Sequence, residues 1–532
     1  MSTTPTQLLT SLPAPKQANR REIISQIWNL ALPVLLTNLL QSLVGVIDVF
    51  MVGRLGPIEI AASGMATVIR ILVLVMVLSV AAGAMSLVAQ AKGARDPERM
   101  SFVVRQAFSS GLILSFILVV SGLLIARPLL LFANSGGDPT AVDLGVSYLR
   151  IIFLGMPFLV INIVIDRMMQ GAGDTVTPLI LNGTINVLNV LFNFIFMFGI
   201  GPVPAFGLAG AAVGTVIARG LGVSIALSII LSGRNVIKIG KGSFWPDLQM
   251  FQDILGIGLP SGIQGIFRNG SRLLVISLIT STEVGTLGAA ALAIGLNIES
   301  LAFMPVLGIN VAATSLVGQA LGAWQVEEAK RQGTLAAFLG VGVMLILTVP
   351  MIIFAPALIK FFDPSANEIV LAAGTSYMRI NTPFLLSTAV AMVINGALRG
   401  AGDSMPGMYN TLISRGVIAV TLAWLFAFPL GFGSVGIWIG LAIGQCFEGI
   451  FMWSRWQMHK AWLNVALHKT DLYRKHLKTL PETIQQRYLQ EIRAPLMAQP
   501  KAFEDVSADG VTYKLPDREI KVQFANNQFQ LA

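Results

Sequence analysis

The stretch ILVLVMVLSVAAGAMSLVA, residues 71–89, runs for nineteen residues without a charge, and runs of this kind recur along the whole chain. A segment of that length crosses the roughly 30 Å hydrocarbon layer as a helix. A continuous helix also satisfies its own backbone groups where no water can, and the ten-residue alternating strands of a membrane barrel are not visible. Composition agrees: 54% of the 532 residues are hydrophobic and 12% are charged, with a mean hydropathy of +0.74. A soluble domain carries about a quarter charged residues. The sequence therefore predicts an all-α polytopic membrane protein.

Twelve hydrophobic spans are predicted, at about 23–53, 59–91, 99–133, 140–170, 174–200 and 206–233, then 249–281, 285–322, 329–362, 367–399, 404–430 and 435–459. Several exceed a bilayer's thickness and must tilt or extend into solvent. The predicted organisation is a disordered amino-terminal tail over 1–20, a six-helix bundle over 21–233 and a cytoplasmic linker over 234–247. A second bundle follows over 248–460, and a cytoplasmic tail over 461–532. Within the tail, LYRKHLKTLPETIQQRYLQEI (472–492) reads as interfacial helices broken at Pro481.

The two bundles are copies. QGAGDTVTP (170–178) returns as RGAGDSMP (399–406), with Gly171 and Gly400, and Asp174 and Asp403, each 229 positions apart. VAQAKGA (88–94) returns as VGQALGA (317–323), and SYLR (147–150) as SYMR (376–379), at the same offset. Pro33 and Pro260 match at 227. Six spans per copy is an even number, so both copies enter the membrane from one side and form parallel repeats around a central cleft.

Lys and Arg set the orientation. Lys92, Arg95, Arg99, Arg167, Arg234, Lys238, Lys241, Lys330, Arg331 and Arg399 fall at one set of connections, whereas the other set holds Arg54, Arg127 and Lys360. With Lys16, Arg20, Arg21, Arg455 and Lys460 beside the termini, both termini are predicted to be cytoplasmic. The net charge of +9 is then a topology signal and gives no reason to invoke nucleic acid. Cys446 is the single cysteine, and His459, His468 and His476 all follow the last span. The membrane body thus has no disulfide, no Cys-cluster metal site and no histidine base, which argues against an intramembrane enzyme.

ALPVLLTNLLQSLVGVIDVFMVGRLG (31–56), the paired GDTVTP and GDSMP turns, and FMPVLGINVAATSLVGQALGA (303–323) resemble the multidrug and toxic compound extrusion (MATE) family, and within it the DinF-like branch. The resemblance covers about 21–460. It implies a twelve-helix secondary antiporter of the plasma (inner) membrane that exports drugs or small organic metabolites by alternating access, in exchange for Na⁺ or H⁺. Its partners would be a small-molecule substrate and the lipid bilayer, with no cofactor beyond the coupling ion, and it would act as a monomer.

Asp48 is the sharpest candidate for ion coupling. It is a carboxylate at membrane depth between Ile47 and Val49, able to carry a proton or to ligate Na⁺. Pro33, fifteen residues earlier, gives the same helix a point at which to bend, as Pro260 does in the second copy. Resemblance matches Pro33 and Asp48 to the first-helix proline and the coupling aspartate of DinF-like members. Asn189 and Asn193 share a helix face in NGTINVLNVLFN. The family typically carries Asn-x-x-x-Asp there, so Asn193 replaces a charge with an amide. Asn189, Asn193 and Thr215 are expected to complete the site around Asp48.

Arg70 and Glu299 stand at equivalent positions, 229 apart, and are expected to oppose or pair across the cleft; pairing within each half is the alternative. Arg268 and Arg272 are expected to line the substrate cavity or to neutralise Glu299 or Glu448. Such arginines suit organic anions, whereas Asp48 and Glu299 suit cations. Gly171, Gly173, Asp174, Gly400, Gly402 and Asp403 read as structural turns, glycine closing one helix and aspartate capping the next. An organic-anion exporter and a lipid-linked substrate flippase remain as alternatives within the fold.

Overall fold

The computed structural model describes residues 19–134, 137–233, 235–240, 242–323 and 325–458, with four short strands inside 503–531. Among the described residues, ten helices are long and apolar enough to cross a membrane. Pro139–Leu154 and Met156–Gly171, bent by 52° at their junction, make an eleventh span as a broken pair. The bend falls where Pro157 has no N–H to donate into the preceding turn. Leu248–Thr280, 33 residues long, is the remaining segment; Arg268, Asn269 and Arg272 make it the most polar of the set. In chain order these are the twelve expected spans. The tenth span is also interrupted, by a tight turn at Thr382–Phe384, and the eleventh by a wide helical turn at Leu412–Ala419.

The membrane body is all helical, as expected. In the tail, residues Phe503–Ser507, Gly510–Leu515, Arg518–Ala525 and Gln528–Leu531 form an antiparallel four-stranded sheet in sequence order, which the hydropathy pattern did not signal. The interfacial helices expected over 472–492, residues 1–18 of the disordered tail expected over 1–20, and Arg234 and Lys241 of the linker lie outside the described residues. Asn19 and Arg20, placed in that tail, instead cap and begin the first helix, because the Asn19 side chain and Glu22 form a capping box.

Two large hydrophobic cores form among the described residues. One is built from Met51 through Ile230 and takes in Met250, Ile254 and Ile257 from the start of the seventh span. The other runs from Val275 to Trp456 and takes in Ile23, Ile27 and Ala31 from the start of the first span. The first and seventh spans thus begin in the opposite half's core and end in their own. The exchange happens at the face that bears the ends of the helical body, hereafter the terminal face. Close approach of backbones makes it possible. A Cβ on Gly308 would meet the Ala31 carbonyl, and one on Gly83 the Ile254 carbonyl.

At the terminal face the repeated motifs meet one another. Gln90, in VAQAKGA, donates to the Gly400 carbonyl at 3.0 Å; Gln319, in VGQALGA, donates to the Gly171 carbonyl at 3.0 Å. Each glutamine therefore satisfies a C-terminal helix carbonyl in the other half. Three residues on, Gly93 lies against the Gln319 carbonyl and Gly322 against the Gln90 carbonyl, with no room for a Cβ at either position. Gly173 and Gly402, at φ +86° and +89°, make the left-handed turn that a side chain disfavours. The Asp174 carboxylate accepts from the Thr177 N–H at 2.9 Å, while the residue at the helix's N-cap position is Thr175, whose side chain makes no capping bond. Asp403, its counterpart, instead lies 3.8 Å from Arg455.

Pro33 and Pro260 both sit inside uninterrupted helices, Arg20–Gly53 and Leu248–Thr280. Pro33 leaves the Asn29 carbonyl without its usual intrahelical donor. Thr175, in the repeated turn, supplies a hydroxyl to that carbonyl at 3.4 Å. The proline of the first span is thereby tied to the turn that ends the fourth.

Candidate functional site

The sixth span packs closely on the fifth because Gly210 and Gly214 bring its backbone against Phe196, Met197, Phe192 and Asn193. That contact places Thr215 beside the amide face of the fifth span. Asn189 donates to the Thr215 hydroxyl at 2.9 Å, and Asn193 donates to the Asp48 carboxylate at 2.9 Å. Asn189 and Asn193 exchange longer bonds of 3.4 and 3.5 Å. The four residues proposed from sequence thus form one cluster inside the first half. Asn189, Asn193 and Thr215 are buried, and Asp48 is half-buried at its mouth. Arg70 and Arg219 act on Asp48 through space. Among the described residues, neither comes within ion-pair distance.

A carboxylate at this depth is costly unless it is paired, wetted or neutralised. The cluster offers it one amide N–H, from Asn193, backed by the side-chain oxygens of Asn189, Asn193 and Thr215. That set can hold a proton on Asp48 or a small monovalent cation beside it. No group of three or more His, Cys, Asp or Glu suited to a transition metal or a divalent ion occurs among the described residues.

The expected pairing of Arg70 with Glu299 across the cleft is not formed. Arg70 donates to the Tyr148 hydroxyl at 3.3 Å, and the Tyr377 hydroxyl hydrogen-bonds the Glu299 carboxylate. Tyr148 and Tyr377 are the tyrosines of SYLR and SYMR, themselves 229 apart. Each charge is therefore held by the equivalent tyrosine of its own half, the second of the two arrangements considered from sequence. The physical reason is proximity: both tyrosines lie on a span packed against the charge-bearing helix of the same repeat.

The second half gathers more charge. Arg268, Arg272, Glu299, Tyr377, Arg415 and Gln445 line a cavity of about 70 Å³. Arg70 is not among them. Arg415 lies in the wide turn of the eleventh span, a local expansion often found where a helix bears a functional side chain. Its Nε and Nη2 both donate to one oxygen of Glu448, at 3.0 and 2.8 Å. Glu299 retains a buried oxygen, Oε1, with no hydrogen-bond partner in the protein. Around this cavity, Arg268, Arg272 and Arg415 stand against Glu299 and Glu448, a local cationic excess among the described residues. At about 70 Å³ the cavity admits a few waters or one small group, well below the roughly 300–1,000 Å³ of a drug-sized site. A groove of about 800 Å³ opens at the terminal face beside Lys92, Arg95 and Gln319, away from the acids of the bundle interior.

Breaking the Arg415–Glu448 pair should reveal its structural weight. Arg415→Met leaves a buried carboxylate uncompensated and is expected to cost about 3–5 kcal/mol. Thermal unfolding of purified protein should show a clear loss for the single variant and substantial recovery in Arg415→Met/Glu448→Gln. Equal stability of wild type and Arg415→Met would contradict the pairing.

Sequence reasoning missed Tyr148, Tyr377, Gln90 and Gln319 as individual residues, although every one lies in a motif that the repeat singled out. It also passed over Asp166 and Asn162 of the fourth span, which hydrogen-bond each other at 3.0 Å, because neither belongs to a repeated string.

The family described as MatE matches this chain twice, over residues 33–195 and 260–425. A probable multidrug resistance protein NorM from Thermotoga maritima is 30% identical over 455 residues, covering 82% of this chain and 94% of the relative. A protein of the same description from Rhizobium meliloti is 30% identical over 425 residues, covering 78% and 89%. Among solved structures, a MOP superfamily transporter from Pyrococcus furiosus, described as having a binding pocket of reverse polarity, is 25% identical with a TM-score of 0.76. The match covers 87% of this chain and 99% of that one. An outward-facing MATE transporter superposes with a TM-score of 0.75 at 24% identity, covering 88% and 100%, which supports the fold.

Proposed function

Because the chain belongs to the MatE family, we propose that it is an efflux antiporter of the plasma membrane, moving small organic molecules outward in exchange for inward Na⁺ or H⁺. The observation that carries this reading is the Asp48 cluster. A carboxylate at membrane depth is held by the Asn193 amide, itself bonded to Asn189, instead of by an ion-paired cation, so it can bind and release a small cation. The Lys/Arg bias places the terminal face in the cytoplasm. The glutamine contacts then hold the two halves together on the cytoplasmic side, as an outward-facing state requires. Export requires those contacts to break while the outer halves of the spans close, each bundle rocking as a body. The chain acts as a monomer, since each chain carries both halves of the cleft.

A second reading concerns substrate charge. Arg268, Arg272 and Arg415 outnumber Glu299 and Glu448 around the inner cavity, which favours substrates bearing a carboxylate or other anion. The test is counter-transport in proteoliposomes with two dyes, one cationic and one carboxylate-bearing. The cationic excess predicts that Arg272→Ala impairs the anionic dye more than the cationic one. Transport of the cationic dye alone, unaffected by Arg272→Ala, would assign the protein to cation export.

A further inference from the structure

Asp166 belongs to neither charge cluster described above. It lies on the fourth span, Met156–Gly171, five residues before its cytoplasmic end, and is almost fully buried. Asn162 donates to its Oδ2 at 3.0 Å from one turn earlier, and Asn182 donates to the same oxygen at 2.8 Å from the fifth span. Arg167, its neighbour in sequence, is the charged residue whose field reaches it, and that guanidinium donates to Gln170 at 3.1 Å. Among the described residues no cation comes within ion-pair distance of Asp166.

Asn182 is also the first member of a stripe. Asn182, Asn186, Asn189 and Asn193 follow one another at spacings of four, three and four, which keeps them on one face of the fifth span. The stripe starts at Asp166 and ends at Asp48. Midway along it, the buried Asn186 Nδ2 has no hydrogen-bond partner in the protein. The stripe is therefore a polar track through the first half, with one carboxylate on its cytoplasmic side and the other in its outer part.

We infer that Asp166 is a second proton-binding carboxylate of the first half, linked to Asp48 by the asparagine stripe. Both N–H donors converge on Oδ2, which leaves Oδ1 as the atom that takes the proton. A proton suits this position better than Na⁺, because the two amides turn their N–H groups, not their oxygens, toward the carboxylate. Asp48 takes one proton and Asp166 a second, on Oδ1, and the amides between them reorient their hydrogen bonds as each acid is neutralised without carrying a proton themselves. Asp166 releases its proton to the cytoplasmic side as it returns to the carboxylate. This inference rests on the antiport reading for its role, but not for its test.

The test is infrared titration of the full-length protein in nanodiscs, following the C=O stretch of protonated carboxyl groups from alkaline to acidic pH. Wild type is expected to show a component that Asp166→Asn loses and that Asp48→Asn keeps. An Asp166→Asn spectrum identical to wild type across the titration would overturn the proposal. If Asp166→Asn does not fold, Asn182→Ala keeps the acid but removes one of its donors, and is expected to move the pH at which that component appears; an unmoved component would also overturn it. In proteoliposomes, Asp166→Asn is expected to exchange one proton fewer per substrate while still extruding dye. Loss of gradient-driven transport in wild type would instead indict the antiport reading, with the infrared result standing by itself.

Discussion

Asp48→Asn is expected to reduce dye extrusion from efflux-deficient cells to the level of cells carrying empty vector, at wild-type expression. The substitution isolates charge from shape. Asn193 donates to Asp48 at 2.9 Å, and an asparagine oxygen at the same place accepts that bond equally well. What disappears is the ability to carry a negative charge, and with it the site for a proton or monovalent cation. Folding should survive, because a neutral amide at membrane depth is easier to bury than an ionised acid. Thermal unfolding of the variant should match or exceed wild type. Full extrusion by the variant would mean that coupling resides elsewhere.

The second large effect concerns the cytoplasmic closure. Gln90→Ala/Gln319→Ala removes both symmetric contacts, Gln90 to the Gly400 carbonyl and Gln319 to the Gly171 carbonyl. Each hydrogen bond contributes about 1 kcal/mol net. Losing both shifts the balance between outward-open and inward-open states by about 2 kcal/mol, or roughly thirtyfold. Spin labels at Glu98 and Glu327, which are exposed near the glutamine contacts and occupy equivalent positions in the two halves, report the change directly. The double variant should gain a longer distance component that wild type lacks, and each single variant should fall between them. An unchanged distribution in the double variant would show that the backbone packing of Gly93 and Gly322 closes this face without the glutamines.

Much of this arrangement was legible in the sequence, for a reason that the repeat makes physical. A constant offset of 229 tied together residues that must occupy equivalent places, so the turn at Gly171, the QAKG string and the SYLR tyrosine were marked before their partners were visible. From sequence, the repeated turn reads as a structural corner of each half. The structure adds its partner, since the corner of each half supplies the carbonyl that the other half's glutamine holds. Symmetry also misled. Arg70 and Glu299 are equivalent, but the repeat axis relates them without bringing them together, and each found the tyrosine of its own bundle. Asp48, Asn189, Asn193 and Thr215 were identifiable because polar groups are rare in such spans. Asp166 carries the same signal, yet its neighbours Asn162 and Asn182 contact it from one turn away and from another helix, and only the packed structure joins them.

The most direct test of the account places purified protein in liposomes and follows dye counter-movement as a Na⁺ or H⁺ gradient is imposed and then collapsed, for wild type and Asp48→Asn. The account predicts that dye moves against the wild-type gradient, stops when the gradient is dissipated, and never moves in the variant. Dye flux that ignores the gradient, or that persists in Asp48→Asn, would contradict cation-coupled export at this site.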